Sequence, residues 1–140
     1  MLRISKRTQY GLRAMVCLAQ AFEKENRICS LKEISRKENV SFDYLEKIIS
    51  KLEKKNVVES KRGAKGGYFL KKSPKKIKVG KIIEALEETM APVKCVAKER
   101  GQRYDCPRKK ICKTINVWQK IQDALISTLD SITLADLIKK

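Results

Sequence analysis

The sequence predicts a mainly α protein with one small β-hairpin: a winged helix-turn-helix domain followed by a long C-terminal dimerisation helix. Two observations predict it. A short helix, a tight turn and a longer helix with a polar outer face occupy residues 30–55, and a basic hairpin with three glycines follows directly. The helical pair alone is common among unrelated proteins, whereas a basic hairpin immediately after it is typical of the wing of a winged helix.

The composition favours binding over catalysis. The 140-residue chain has 33 Lys and Arg, 16 Asp and Glu and no His, which gives a net charge of +17, and its 42% hydrophobic content is enough for one core. So large a cationic excess points to nucleic acid as the partner. Without His, and with no nucleophile–base or paired-carboxylate constellation, we expect no enzyme. No membrane-spanning run or signal-peptide pattern is evident, so we expect a cytoplasmic protein.

Two helices are expected before the turn. Residues 8–23 are helical in pattern and apolar on nearly every side, which is typical of a buried central helix with Cys17 as a small core residue. Ser30 and Glu33 have capping-box spacing and begin a second helix that ends at about residue 37. Cys29 is expected to be an ordinary, partly buried thiol.

The third predicted helix, from Phe42 to about Lys55, is the candidate recognition helix, and Ser41 is its expected N-cap. Its apolar residues follow 3–4 spacing and predict one buried stripe: Phe42, Leu45, Ile48, Ile49 and Leu52. Four polar residues are expected nearest the base edges: Ser41, Tyr44, Glu46 and Lys47. A Glu in this position can accept a hydrogen bond from cytosine N4.

The wing is predicted from two strand-like runs, residues 57–60 and 68–70, joined by a glycine-containing turn. Most of the excess charge lies in this half of the chain. Residues 1–80 contain 21 basic and 8 acidic side chains, and residues 60–78 contain eight basic side chains and no acid. We therefore expect the wing cations to contact phosphates: Lys61, Arg62 and Lys65.

The C-terminal part is predicted to contain a further amphipathic helix at residues 77–86 and an irregular loop at 89–110. From residue 111 to about 131, apolar residues recur at alternating steps of four and three, a coiled-coil-like stripe interrupted only by Gln122. This stripe predicts a dimer, and packing of the helix on its own domain is the alternative. Residues 133–136 predict a capped, short last helix.

These elements divide the chain into two parts. Residues 1–80 form the predicted winged helix-turn-helix domain, with the wing at about 57–73. Residues 81–140 contain the cysteine loop at about 89–112 and the dimerisation helix at about 111–131.

Three of the five cysteines, Cys95, Cys106 and Cys112, lie in or beside this loop. Clustered thiols in a chain with no sign of secretion indicate metal or redox chemistry rather than disulfides. Cys112 is expected at the start of the long helix, where amide donors and the helix dipole favour the thiolate. The C-x10-C-x5-C spacing matches neither zinc-ribbon pairs nor ferredoxin runs, so an iron–sulfur cluster, zinc and incidental clustering remain open on the residues alone.

Over essentially its whole length the chain resembles the IscR-type family of bacterial winged-helix transcription regulators, which also includes NsrR, RirA and CymR. The segments that carry the resemblance are TQYGLRAM at 8–15, YLEK at 44–47, RGAKGGY at 62–68, the three loop cysteines, Trp118, and ITLADL at 132–137. The most specific of these are the wing sequence and the cysteine loop with Trp118 six residues after its last cysteine.

The resemblance implies a homodimer that binds palindromic promoter DNA through the recognition helix and the wing. On this basis the DNA-binding residues also include Lys51, Gly66, Gly67 and Tyr68. It further implies that Cys95, Cys106 and Cys112 bind an iron–sulfur cluster, expected to be [2Fe–2S] with [4Fe–4S] as the alternative.

The fourth cluster ligand is left open. IscR has a His three residues after its last cysteine, where this chain has Ile115, and NsrR-like members use an N-terminal Asp, where this chain has Gln9. The candidates are Glu99, Asp105, Cys29, a residue near the N-terminus of the partner subunit, or an exogenous ligand.

The sequence therefore predicts a transcriptional regulator, expected to be a repressor, whose promoter binding is modulated by a cluster that senses iron–sulfur status, redox state or nitric oxide. One alternative is a cluster-free regulator of the same fold, of the type that controls cysteine and sulfur metabolism. The other is a basic RNA-binding protein with a structural zinc.

Overall fold

The computed structural model describes residues 3–24, 27–97 and 106–139. Within these residues it contains six α-helices and one antiparallel hairpin, which confirms the predicted fold class. The helices are α1 (Lys6–Phe22), α2 (Leu31–Glu38), α3 (Phe42–Lys54), α4 (Val79–Leu86), α5 (Ile115–Asp130) and α6 (Leu134–Ile138), and the strands are β1 (Val58–Lys61) and β2 (Gly67–Leu70). Short 3-10 turns lie at Pro74–Lys76 and Lys94–Val96.

The central helix is α1, as the apolar pattern predicts. Ser5 caps it by accepting a hydrogen bond from the Thr8 amide at 3.2 Å. Met15 and Leu18 are fully buried, and the helix packs against α2, α3, α4, α6 and β2. Burial of each such side chain contributes about 1.5–3 kcal/mol, so α1 is the main source of cohesion for the domain.

Gly11 lies where α1 passes close to α3 and α4. A Cβ at this position would contact Cδ1 of Leu86 and lie 3.2 Å from Cγ2 of Ile48. The absence of a side chain at Gly11 therefore allows the close packing of these three helices.

Gly11→Ala is expected to lower the free energy of unfolding. Overpacking a tight core costs about 1–3 kcal/mol, and the better helix propensity of Ala offsets about 1 kcal/mol of that, so the expected net loss is at most about 2 kcal/mol. Urea denaturation measures it. The double variant with Leu86→Ala should lose less than the sum of the two single variants, because the new methyl group then has room. Strictly additive losses would contradict the proposed clash.

At the start of α2, only half of the predicted capping box forms as expected. The Ser30 hydroxyl accepts from the Glu33 amide at 3.1 Å, while Oε2 of Glu33 accepts from Sγ of Cys29 at 3.5 Å. Cys29 is 8% exposed and Cys17 is 4% exposed, and both are free thiols, as predicted. The Glu33 side chain thus contacts the buried thiol beside it.

The turn between α2 and α3 confirms the helix-turn-helix. Asn39 ends α2 in the left-handed conformation with φ of 54°, and Ser41 caps α3 by accepting from the Tyr44 amide at 3.3 Å. The predicted stripe of α3 is buried at four positions: Leu45, Ile48, Ile49 and Leu52. The prediction was wrong for Phe42, which is 46% exposed. Phe42 is the first residue of α3, and because helical side chains tilt towards the N-terminus, it projects past the edge of the core.

The hairpin is observed close to its predicted position: β1 begins and ends one residue later than predicted, and β2 begins one residue earlier. Val58 pairs with Leu70 and Lys61 pairs with Gly67, and the two buried side chains, Val58 and Leu70, anchor the hairpin to the core. The Gly66 amide donates to the Gly63 carbonyl at 2.9 Å across the turn. A Cβ on Gly66 would collide with the Lys61 carbonyl oxygen, and Gly63 has φ of 115°, so this tight turn depends on glycine.

Two helix starts in the C-terminal part differ from prediction. Ile77 is extended and buried, and α4 begins at Val79. The long helix begins at Ile115 rather than 111, because residues 107–111 form successive turns in which the Ile111 amide donates to the Arg108 carbonyl at 3.0 Å. Ile111 is 70% exposed and so does not contribute to the apolar stripe of α5 within this chain.

The C-terminal helix α6 returns to the first half of the chain. Its capping box is complete: the Thr133 amide donates to Asp136 Oδ2 at 2.9 Å, and Thr133 Oγ1 accepts from the Asp136 amide at 3.3 Å. Leu134 is fully buried in the same core as α1, together with Ile82 and Leu86. This core is continuous across residue 80, and the division at that residue stays a prediction.

Most of α5 is left uncovered by the described part of the chain. Gln122 is buried, whereas Val117 is 49% exposed and Ile126 is 36% exposed. The remaining apolar residues of the stripe are partly exposed: Ile115, Trp118, Ile121, Leu125 and Leu129. No helix in the described ranges is long and apolar enough to cross a membrane.

Candidate nucleic-acid interface and cysteine site

The recognition helix and the base of the wing lie side by side. Strand β1 packs against α3. The pKa of Tyr68 in β2 is raised by burial and by the carboxylates of Glu53 and Glu46 on α3. The helix and the wing therefore present one continuous surface.

The predicted DNA-binding residues are accessible on this surface. Those that are exposed are Ser41, Glu46, Lys47, Lys61, Arg62 and Lys65, and those that are partly exposed are Tyr44, Lys51, Gly66, Gly67 and Tyr68. Tyr44 has a structural contact as well, since its ring packs edge-on against Tyr10 with centroids 6.0 Å apart. Their contact with DNA stays a prediction.

The cations of the wing are free to meet phosphates. In the described ranges Lys61, Arg62 and Lys65 form no ion pair. By contrast, Nζ of Lys71, the residue after β2, lies 4.0 Å from Oε1 of Glu59. Lys61 is the last residue of β1, and Arg62 and Lys65 lie in the glycine-containing turn that follows it. This arrangement can follow a phosphate backbone without first breaking internal salt bridges.

Cys29 holds the base of the wing against the helix-turn-helix, a role that was not predicted from the sequence. The Cys29 amide donates to the Tyr68 carbonyl at 2.9 Å, and the Tyr68 amide donates to the Cys29 carbonyl at 2.8 Å. A Cβ on Gly67 would lie 2.6 Å from the Cys29 oxygen. The Gly66-Gly67 pair was a signal for close backbone approach, but the residue approached could not be identified from it.

Cys112 is the loop cysteine with the clearest chemical setting. Its Sγ lies 3.3 Å from Oγ1 of Thr114. The Thr114 hydroxyl and amide, the Ile115 amide and the charge of Arg108 lower the pKa of the Cys112 thiol. Cys112 lies three residues before α5 rather than at its start, and the expected amide donors are those of Thr114 and Ile115. Thr114 makes no side-chain cap for the helix.

The other two loop cysteines are also free and partly exposed. Cys95 lies in the Lys94–Val96 turn, which packs against α5, and Cys106 begins the turns that lead to Cys112. Thiols of this kind fit an iron–sulfur cluster by donor type. Among the described residues, however, no three His, Cys, Asp or Glu side chains are grouped closely enough to hold a metal ion.

The candidates for a fourth ligand divide into two groups. Glu99 and Asp105 lie outside the described residues. Cys29 is described, and burial together with its hydrogen bond to Glu33 raises the pKa of its thiol to about 12. A ligand thiol must lose its proton, so this environment argues against Cys29 as a ligand.

Alkylation is expected to separate the cysteines by their environments. In the native, cluster-free protein at neutral pH, Cys112 should react with iodoacetamide faster than Cys17, whose pKa is raised to about 11 by burial and by Glu38, and faster than Cys29. Peptide mass spectrometry over a time course measures the rates. After denaturation the three rates should converge. Faster reaction of Cys29 than of Cys112 in the native protein would contradict these environments.

A helix-turn-helix with a basic wing beside its second helix defines a winged-helix, DNA-binding protein. Residues 4–140 match the model of the Rrf2 family, described as iron-dependent transcriptional regulators. The chain belongs to the Rrf2 family of transcriptional regulators, and it is therefore a regulator of transcription and not an enzyme.

Individual relatives and structures agree with this assignment. The chain is 34% identical to the protein rrf2 of Nitratidesulfovibrio vulgaris over 138 residues. The aligned region covers 99% of this chain and 88% of that protein. It is similar to the structure of IscR from T. potens, with a TM-score of 0.72 and 38% identity over 98% of this chain and 86% of that chain. It is also similar to CymR, the global cysteine regulator of B. subtilis, with a TM-score of 0.74 and 38% identity over 98% and 96% of the two chains.

Proposed function

We propose that this regulator is a homodimer that binds palindromic promoter DNA, with an affinity that depends on an iron–sulfur cluster at Cys95, Cys106 and Cys112. The observation that carries the proposal is that all three cysteines are free and partly exposed, and that Sγ of Cys112 lies 3.3 Å from the Thr114 hydroxyl just before α5. The similarity to a regulator named IscR supports it. The expected cluster is [2Fe–2S], with [4Fe–4S] as the alternative, and the expected effect on transcription is repression.

The DNA-binding part of the proposal rests on α3 and the wing. The first turn of α3 would enter the major groove, which is about 12 Å wide and admits one helix. The unpaired cations at the tip of the wing would follow the adjacent phosphates. In a dimer, two such units would contact two half-sites about 34–36 Å apart, which explains the expectation of a palindrome.

The dimer part of the proposal rests on α5. The described residues cover its apolar stripe only in part, and Val117 and Ile126 are exposed. A second copy of α5 would cover these side chains. Gln122, at the interrupted position of the stripe, has a buried Oε1 atom without a hydrogen-bond partner in the described residues.

The same helix connects the cysteines to DNA binding. The Lys94–Val96 turn, which contains Cys95, packs against α5, and Cys112 lies just before its first residue. A bound cluster would supply a centre sensitive to oxidants, nitric oxide or iron supply. The three cysteines would hold the loop against α5, and a change in the loop would alter the spacing of the two recognition helices. A coupling of about 1–3 kcal/mol is enough for regulation.

A second candidate is a regulator of the same fold that binds DNA without a cluster. Two observations favour it: the similarity to CymR, and the absence of a grouped metal site among the described residues. Membership of a family of transcriptional regulators favours both candidates over RNA binding with a structural zinc.

Anaerobic purification with iron and sulfide analysis tests the proposal, followed by footprinting of cluster-loaded and cluster-free protein on its own upstream DNA. We expect iron and sulfide in equal amounts, a dimer in sedimentation, and a palindromic footprint that differs between the two forms. Colourless, iron-free protein with an unchanged footprint after attempted reconstitution would support the cluster-free candidate instead.

A further inference from the structure

The first residue of the recognition helix, Phe42, is an aromatic side chain that is exposed on the surface of the domain. Phe42 is 46% exposed although Leu45, Ile48, Ile49 and Leu52 of the same helix are buried. The exposed residues close to it in the sequence, at the start of α3, are polar: Ser41, Asp43, Glu46 and Lys47. A phenyl ring in such surroundings is a poor site for an apolar protein partner, and the nearby basic wing points to DNA.

The position of Phe42 on α3 determines what it can reach. Phe42 and Glu46 are four residues apart and therefore share one face of the helix, with Cβ atoms about 5–6 Å apart. Strand β1 of the wing packs against α3, so the wing lies beside this helix. In a helix-turn-helix the N-terminal turn of the second helix meets base edges in the major groove. Phe42 is then placed beside the base that Glu46 contacts.

The major groove contains one apolar group, the C5-methyl of thymine, and Phe is among the side chains that contact it. Successive bases are about 3.4 Å apart along a strand, so side chains separated by about 5–6 Å can contact neighbouring base pairs. We propose that Phe42 is a specificity-determining residue that contacts the methyl group of a thymine next to the base contacted by Glu46. This inference rests on the proposed placement of α3 in the major groove.

Uracil substitution tests the contact, since uracil is thymine without the methyl group. The probe is a duplex selected from a random-sequence pool by the purified wild-type protein, remade with one thymine at a time replaced by uracil. Fluorescence anisotropy gives the Kd. We expect one position in each half-site at which uracil weakens wild-type binding about fourfold, the effect of exposing one buried methyl-sized group.

Two variants connect this effect to Phe42. Phe42→Ala should bind the thymine duplex about fourfold more weakly per half-site than the wild type does. This variant should bind the thymine and uracil duplexes with the same affinity. Phe42→Leu should keep part of the preference for thymine. The salt dependence of Kd should not change, because no charge is removed. Leu137→Ala, which alters an exposed apolar residue on α6, is the matched control and should keep the full preference.

The outcomes separate the inference from the function on which it rests. The role of Phe42 would be overturned, with promoter binding intact, by either of two results. In one, the wild type selects a defined duplex but tolerates uracil at every position. In the other, Phe42→Ala keeps the wild-type preference for thymine. Failure of the wild-type protein to select any sequence would overturn both. The wild-type uracil series and Phe42→Leu keep the test decisive if Phe42→Ala folds poorly.

Discussion

Replacing Lys61, Arg62 and Lys65 together with Ala is expected to weaken promoter binding about 100-fold per half-site. Each cation is exposed and unpaired in the described structure, so its loss removes a phosphate contact without freeing a buried carboxylate. Three contacts at about 1 kcal/mol each give this factor for one chain. The slope of log K against log salt concentration should also fall by about 0.9 for each contact removed.

The matched control removes the same charge elsewhere. Lys109, Lys110 and Lys120 are exposed and lie outside α3 and the wing. Their joint replacement with Ala should change the affinity and the salt slope much less than the wing variant does, and both variants should unfold at wild-type temperatures. Equal losses in the two variants would show that net charge rather than wing geometry determines DNA affinity.

Cys112→Ser is expected to abolish the cluster. A serine hydroxyl does not provide the thiolate that the setting of Cys112 favours, so iron should fall from about two atoms per chain to near zero for a [2Fe–2S] centre. Iron and sulfide analysis of anaerobically reconstituted protein measures the loss. Cys95→Ser and Cys106→Ser are expected to behave in the same way.

Cys29→Ser is the control for this set. The Cys29 thiol is buried and donates to Glu33, so its replacement should leave the iron content unchanged. If Cys29→Ser lost iron while remaining folded, Cys29 would be the fourth ligand, and the conclusion drawn from its raised pKa would be wrong. If Cys112→Ser kept full iron, the proposed ligand set would fail.

Local patterns were sufficient to predict most elements. Ser41 and the pair Thr133 and Asp136 identified helix starts because capping depends only on neighbouring residues. The 3–4 spacing identified the buried face of α3 because a helix repeats its faces independently of its partners. The same spacing was wrong for Phe42, since periodicity gives the direction of a side chain and not where the core ends.

The candidate site was predictable in part for the same reason. The basic wing and the three cysteines are visible as local clusters, but the pairing of Cys29 with Tyr68 joins residues 39 positions apart. The start of α5 was predicted four residues early because Ile111 continues the apolar spacing, whereas the turns before it are held by backbone hydrogen bonds such as Ile111 to Arg108.

The sequence by itself determined the fold class, helix α3 and the hairpin, because each depends on propensity, capping and charge along a short stretch of chain. Only the tertiary structure decided which surfaces are left uncovered. It showed that Phe42 is exposed, that the described residues cover the apolar stripe of α5 only in part, and that a Cβ on Gly67 would lie 2.6 Å from the Cys29 carbonyl oxygen. The physical reason is that burial depends on contacts between distant segments, which local spacing does not encode.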